Sequence, residues 1–526
     1  MLITEILKKN AALYGDEIAL VEREPALNQR REITWRQFDK SANAIAHFLM
    51  RHGVRKGDRV IQLMTNSLSW LPVYFGILKT GALAVPLNFR FEAETIELCA
   101  QVAEPRLFFF GEEFIERMEE IKPALDRSVR AYVFTGPRHE TPSWAIPYDD
   151  LFLSASTEAP EVTIGIEEEA ALYFTSGTTG TPKAVLLTHR NLSFACEVEN
   201  AHHGQTHGDN FLCIPPLYHT GAKMHWFGNF LVGAKSVLLK GVTPRWIMEA
   251  VSEEKISIVW LLVPWAHDIL IAIDTGEIDL GAYDLSSWRL MHIGAQPVPP
   301  SLVKKWRERF PHHQYDTNYG LTEATGPGCV HLGVDNIHKV GAIGKPGFGW
   351  EHAIVDGEMK VLPFGETGEL VVRGAGVMKA YYQNPDATRE TVVNGWLRTG
   401  DMARIDESGF IWLVDRKKDI IITGGENIYP VEIEHFLMGH ESVKDVAVIG
   451  YPDERLGELV TAVIMVKAGH HLTEEAVREF AKELPRYKRP RKIIFSDVPR
   501  NPTGKIEKPK LRRKYIPVSH SILYSR

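Results

Sequence analysis

From residue 33 to about 110 the apolar positions alternate between helical spacing and short unbroken runs. Residues 35–52 and 69–80 carry apolar side chains three and four apart, while 59–64 and 81–86 are short apolar or β-branched runs. This alternation is the mark of βαβ units feeding a parallel sheet. It returns at 209–217, 234–239, 256–262 and 288–294, each followed by a helix-compatible stretch. Residues 170–174 read as a buried strand, and 184–191 as a strand or turn leading to an apolar helix from about Leu192. No repeat of solenoid length is visible.

After about Lys345 the texture changes to short strands between Gly and Pro turns, at 351–355, 368–373, 396–399 and 410–413. A small β-rich subdomain over about 345–415 fits this pattern. The charged pentapeptide Asp415, Arg416, Lys417, Lys418, Asp419 follows, and then about 110 residues with strands at 443–450 and 460–466 and a helix at 473–483. A run of charge reads as an exposed linker, and hinges sit in such linkers. The expectation is an α/β protein with a large N-terminal domain, 1–415, of α/β subdomains with mostly parallel sheets plus the β-rich subdomain. A smaller, mobile α+β domain, 416–526, completes it.

With 526 residues, 44% of them hydrophobic, two or more domains are expected. The 60 basic residues are offset by 67 acidic ones, a net charge of −7, which gives no electrostatic reason to expect a nucleic-acid partner. Cys99, Cys196, Cys213 and Cys329 are too widely spaced for a Cys-x-x-Cys pair and read as reduced core thiols. The first ten residues form an amphipathic helix without the features of a secretory signal. The longest apolar run, 256–273, is broken by Pro264, His267 and Asp268, so a transmembrane segment is not expected. The expected setting is cytoplasmic.

Between the strand at 170–174 and the run from Ala184 lie Thr175, Ser176, Gly177, Thr178, Thr179, Gly180, Thr181, Pro182 and Lys183. Both glycines can take φ > 0 and turn backbone N–H groups inward, the hydroxyls can donate hydrogen bonds, and Lys183 brings positive charge. Such a composition suits a loop that wraps phosphate. It is not the Walker loop, whose lysine follows a glycine and precedes Ser or Thr; here Pro182 precedes Lys183 and Ala184 follows it.

This string resembles the signature loop of the adenylate-forming superfamily, which holds acyl-CoA synthetases, peptide-synthetase adenylation domains and beetle luciferases. The resemblance covers about 490 residues, from roughly Ile33 onward, in five ordered motifs. It implies that the loop grips the phosphates of ATP. Tyr319, Gly320, Leu321, Thr322 and Glu323 match the aromatic motif, which implies a ring beside adenine, Thr322 near the transferred phosphate, and Glu323, with Thr175, on Mg²⁺. Gly294, Ala295 and Gln296 resemble the segment lining adenine and the acyl pocket. The segment ending in Asp401, together with Arg416, resembles the family's ribose contacts. Lys505, in Asn501-Pro-Thr-Gly-Lys505, matches the lysine that enters the site in one domain orientation, where its ammonium would offset the charge built as a carboxylate attacks the α-phosphate. Gly425 resembles the glycine past which the pantetheine arm of coenzyme A threads, and Lys418 stands where the family's small domain turns.

Peptide-synthetase relatives place an Asp where this chain reads Pro216-Leu-Tyr-His-Thr-Gly221, so an amino-acid substrate, whose ammonium would lie unpaired, is disfavoured. His219 matches acyl- and aryl-CoA synthetases, whose histidine lies beside the acyl group. The acyl pocket is expected to draw on Ala222, Met224, Trp226, Phe227, Gly320, Leu321 and residues 326–330, and to be mainly apolar, suiting a fatty, alicyclic or aryl carboxylic acid. Two placements are open for Lys223: its ammonium reaches solvent along an apolar stem, or meets a second polar group on the substrate. The expected activity is an acyl-CoA synthetase using ATP, Mg²⁺ and coenzyme A through an acyl-adenylate. A stand-alone enzyme that loads a carrier protein shares every nucleotide motif and stays open, as does a homodimer.

Overall fold

The computed structural model describes residues 1–153, 155–175, 182–294, 298–424, 426–500 and 506–516. The chain divides into two compact units, Met1–Glu351 with Val372–Leu397, and His352–Val371 with Arg398–Arg526. The expected boundary at 415/416 falls inside the second unit.

Among its described residues the first unit holds a nine-stranded and an eight-stranded sheet. In the larger, Gln314–Leu321, Leu290–Gly294, Ile258–Leu262, Asn210–Cys213, Lys235–Leu239 and Ile18–Glu24 lie side by side and parallel. In the smaller, Glu169–Thr175, Leu83–Pro86, Arg59–Leu63, Leu107–Phe110 and Ala131–Phe134 do the same. Antiparallel strands are added at the margins: Gln29–Thr34 and Gly326–His331 on the larger sheet, Lys183–Thr188 and Ala380–Tyr381 on the smaller. Parallel strands covered on both faces need unbroken apolar runs, which is why the periodicity located them. The hairpin Ile18–Glu24 with Gln29–Thr34 had no such signal. Its outer strand is Gln-Arg-Arg-Glu-Ile-Thr, a charged edge that discourages further pairing.

Helix Trp70–Lys79 is buried along its whole length, as an all-round apolar helix must be. Phe75 meets Trp226 edge-on at 6.3 Å and Phe230 at 5.1 Å, joining this helix to Thr220–Leu231. Helix Trp35–Arg51 approaches so closely that a Cβ on Gly76 would lie 2.6 Å from Cγ2 of Ile45. Each large side chain buried here contributes roughly 1.5–3 kcal/mol. Thr188 caps helix His189–His203 by accepting from Asn191 N, so the helix starts three residues before its first leucine. All four cysteines are buried and free. No described helix is long and apolar enough to cross a membrane.

In the second unit Trp396–Ile405 pairs antiparallel with Ile411–Arg416 from Asp401↔Arg416 to Ile405↔Ile411. A further sheet is built on the hairpin Val443–Asp453 with Gly457–Val466, to which Ile421–Thr423 adds antiparallel and Lys492–Phe495 parallel. Ile433, Val446, Val460 and Ile464 belong to its core, beneath helix Pro430–Leu437.

Candidate functional site

Thr175 ends one strand and Lys183 starts the next, and the two are cross-strand partners, so the phosphate-loop candidate is closed at its base by a ladder. Ser176, Gly177, Thr178, Thr179 and Gly180 lie outside the described residues. Ala380–Tyr381 pairs with the outgoing strand, Tyr381 opposite Val185. This pairing sets Lys183 Nζ 4.8 Å from the centroid of the Tyr381 ring, a cation–π contact. The Tyr381 hydroxyl in turn donates to Oε1 of Glu323 at 2.7 Å. Burial, and then the Glu323 charge beside it, push the Tyr381 pKa up, so the phenol stays a donor. Met378 N donates to the Glu323 carbonyl at 2.8 Å and Thr325 Oγ1 to the Gly376 carbonyl at 2.5 Å. Glu323 is thus fixed by backbone and by side chain, and presents the hard carboxylate oxygen that Mg²⁺ prefers.

Tyr319 and Thr322 reach this place on strand Gln314–Leu321 and the turn Thr322–Ala324, with a register shift between Tyr319 and Leu321 that re-aims the strand end. Gly326 follows with φ 104°, and a Cβ there would lie 3.1 Å from the Thr220 side chain, so this turn seats on the helix after His219. His219 is half-buried at the helix N-cap, where its Nδ1 accepts from Gly221 N at 3.0 Å. Gly294 ends the neighbouring strand opposite Leu262, and Ala295 and Gln296 lie outside the described residues.

The expected acyl-pocket residues separate. Trp226 and Phe227 turn into the aromatic core, Trp226 stacking toward Phe230 at 4.9 Å, and so do not line an open apolar pocket. The face of the same helix toward the larger sheet carries His225, stacked on Trp260 at 4.5 Å and within 2.9 Å of Asn318 through Nε2. The expected pocket drew Ala222, Met224, Trp226 and Phe227 from this helix together, whereas two packed faces divide it. Of the two placements expected for Lys223, the one at solvent does not hold: the residue is fully buried, with Nζ 3.8 Å from the Tyr74 ring centroid, 4.3 Å from that of Tyr173 and 5.6 Å from that of Trp70. Nζ makes no hydrogen bond. Burial drives its pKa far below the usual lysine value, and the amine points at π faces.

In the second unit Asp401 and Arg416 face one another across the strand pair, Arg416 Nε 3.2 Å from Asp401 Oδ1. Buried Glu369 anchors the turn before them, accepting from Arg398 Nη2 at 2.6 Å, Lys417 Nζ at 3.2 Å and Gly400 N at 3.2 Å. The charged pentapeptide is less exposed than its composition suggests. Asp415 accepts from Val431 N at 2.8 Å and caps the following helix, and Asp419 pairs with Arg512 at 2.8 Å. Asp415 and Asp419 are buried, because each finds a backbone or guanidinium partner that a sequence reading cannot see. Gly425 and Lys505 lie outside the described residues.

The AMP-binding enzyme profile matches residues 7–382, and the AMP-binding enzyme C-terminal domain matches 432–505. The chain belongs to the AMP-binding enzyme family. Among relatives of this AMP-binding enzyme, a long-chain-fatty-acid–CoA ligase, FadD13 of Mycobacterium tuberculosis, is 31% identical over 496 residues, 94% of each chain. A 2-succinylbenzoate–CoA ligase of Bacillus anthracis is 32% identical over 513 residues, 96% of this chain and 97% of that one. The solved anthranilate CoA ligase AuaEII, in complex with anthranoyl-AMP, superposes with a TM-score of 0.87 at 27% identity, covering 98% of this chain and 97% of that one. Tyr381 was missed by motif reading, since its signal is a strand pairing across some two hundred residues of sequence.

The Lys223 cage gives a direct test. Burial lowers the folded amine's pKa below the unfolded value of about 10.4, so the folded state binds its proton less tightly and stability rises with pH toward that value. Lys223→Met should therefore stabilise the protein at pH 7 by about 1–3 kcal/mol, and the advantage should shrink toward pH 10 in denaturant unfolding. A destabilised variant whose deficit does not change with pH would show that the buried amine is charged and held by the rings.

Proposed function

We propose that this AMP-binding enzyme is an AMP-forming acyl-CoA ligase for a fatty, alicyclic or aryl carboxylic acid. The observation that carries the reading is the run Lys183, Tyr381, Glu323 at the base of the Ser/Thr/Gly loop. An ammonium and a carboxylate held about one ring apart suit a nucleotide whose phosphates need the first and whose Mg²⁺, arriving with ATP, needs the second. The relatives named for fatty, aryl and arylalkyl acids support the substrate class.

A carboxylate oxygen attacks the α-phosphorus, the bond to the bridging oxygen breaks, and pyrophosphate leaves as the acyl-adenylate forms. Thr175, the following loop and Lys183 hold the phosphates, Glu323 meets the metal, Thr322 lies near the α-phosphate, Tyr319 lies beside adenine with Gly294, Ala295 and Gln296, and Asp401 with Arg416 takes the ribose hydroxyls. Lys505 bridges the carboxylate and phosphate oxygens in this step, where a positioned charge is worth several kcal/mol. The thiol of coenzyme A then attacks the acyl carbonyl carbon past Gly425, with His219 beside the acyl group, and AMP departs. We assign the turn between the two steps to the pentapeptide 415–419 about Lys418. We assign the enzyme to the cytoplasm, where ATP and coenzyme A are both at hand.

Carboxylates of graded length and shape, screened by pyrophosphate release, should reveal one class that drives turnover, with AMP release then requiring coenzyme A. AMP release that depends instead on a carrier protein would replace the acceptor. Lys505→Ala should lower pyrophosphate release by roughly 10²–10³-fold and spare thioester formation from supplied acyl-adenylate; equal losses in both half-reactions would refute the two-conformation reading. Tyr381→Phe removes one hydrogen bond to a charged group, worth about 1.5–3 kcal/mol. It should slow adenylation roughly tenfold or more and raise the Mg²⁺ requirement, while an unchanged Mg²⁺ dependence would detach Tyr381 from the metal.

A further inference from the structure

Behind strand Gln314–Leu321, on the side of helix His189–His203, five buried side chains that bear metal-ligating atoms converge. Glu199 and His203 lie one turn apart on the helix, His292 stands on Leu290–Gly294, Asp316 on Gln314–Leu321, and His331 on Gly326–His331. One ligating atom from each of Glu199, His203 and His292 lies within 4.8 Å of the others.

Asp316 organises the group. Its Oδ2 lies 2.8 Å from His203 Nε2 and 3.0 Å from His331 Nδ1, and its Oδ1 accepts from Gly333 N at 2.8 Å. With those two ring nitrogens donating, the remaining nitrogens of both imidazoles face Glu199: His203 Nδ1 at 3.3 Å from Oε2, and His331 Nε2 at 4.0 Å from Oε1. Where a ring is neutral, its second nitrogen presents a lone pair to the buried carboxylate, and that contact needs either a further proton on the ring or a cation between the two. Neither Glu199 oxygen has a hydrogen-bond partner, nor does either nitrogen of His292, nor His331 Nε2. Buried polar atoms left unpaired in this way are rare and each costs on the order of 1–3 kcal/mol.

We propose that Glu199, His203, His292 and His331 form a structural site for one divalent d-block cation, best matched by zinc. Three imidazoles and a carboxylate are a zinc ligand set, and ligand atoms about 3.3 Å apart satisfy a tetrahedron with bonds near 2.0–2.1 Å. The Glu199 to His203 separation already meets that spacing, and the Glu199 to His331 gap needs to close by less than one ångström. A carboxylate that accepts the second N–H of a ligating histidine is the usual outer partner of such a site, and Asp316 does this for two of them. A dication would also balance the two buried carboxylates. Such an ion would tie helix His189–His203 directly to strands Leu290–Gly294 and Gly326–His331, and through Asp316 to the strand between them, which runs on to Tyr319. The proposal does not depend on the ligase reading.

The test uses the full-length, tag-free chain, produced with added zinc and dialysed. Elemental analysis should find about one zinc per chain, falling below about 0.1 in His292→Ala and in Glu199→Gln, and Asp316→Asn should weaken retention roughly 10–100-fold. Chelation by phenanthroline should lower the melting temperature of the parent protein and not that of His292→Ala. Should the variants fail to fold, X-ray absorption on the zinc-loaded parent decides: nitrogen and oxygen ligands at about 2.0–2.1 Å support the site, and sulfur ligands overturn it. A parent protein that retains no zinc, cobalt or nickel also overturns it, and makes the cluster a network joined by protons alone.

Discussion

A carboxylate and an ammonium at the base of a phosphate loop would collapse onto each other if nothing stood between them, and the Tyr381 ring is what stands there. Its face takes the Lys183 charge and its hydroxyl takes the Glu323 carboxylate. The ring thus keeps the two groups apart, so that the ammonium and the carboxylate stand as separate poles instead of a direct ion pair. The ring is held by the pairing of Ala380–Tyr381 with the strand that leaves the loop, and Glu323 is held by the same segment through Met378. The base of the loop, the Glu323 carboxylate and the aromatic spacer are therefore consequences of one edge of one sheet.

That edge is stiff because the body beneath it is two sheets of parallel strands with buried helices against them. Polar groups caught in this body obey the same rule in different ways. Lys79 finds Asp39 and Asn43, and Asn10 finds a carbonyl at the end of helix Thr220–Leu231. Lys223 finds no hydrogen-bond acceptor and lies among three ring faces instead, with burial pushing its pKa down. In each case the low-dielectric surroundings decide the protonation or the partner, not the residue type.

The sequence made the two parallel sheets legible because their central strands are apolar on both faces, and it made the phosphate loop and the Tyr319–Glu323 motif legible because those are contiguous strings. What it hid was built from pieces far apart in the chain. Lys223 reads as a surface residue until Tyr74 and Tyr173 arrive from a helix and a strand of other parts of the first unit. Each of His203, His292 and His331 alone reads as an ordinary core histidine, and only the register of adjacent strands sets them around Glu199 and Asp316. The pentapeptide 415–419 looked solvated since its charge is local information and its partners, Val431 and Arg512, are not.

Helix Thr220–Leu231 connects these threads. Successive residues turn by about 100° on a helix, so Lys223 and His225 point to opposite sides, the first into the aromatic cage and the second toward Trp260, Asn318 and His292. A rotation that gave either side chain a better partner would tear the other from its own. The helix is thereby fixed in rotation by two polar groups that gain little individually, with the apolar residues between them filling the core. His219, at its N-cap, inherits that fixed orientation. The turn at Gly326 seats on the same helix, where positive φ and the absence of a side chain leave the backbone close against Thr220.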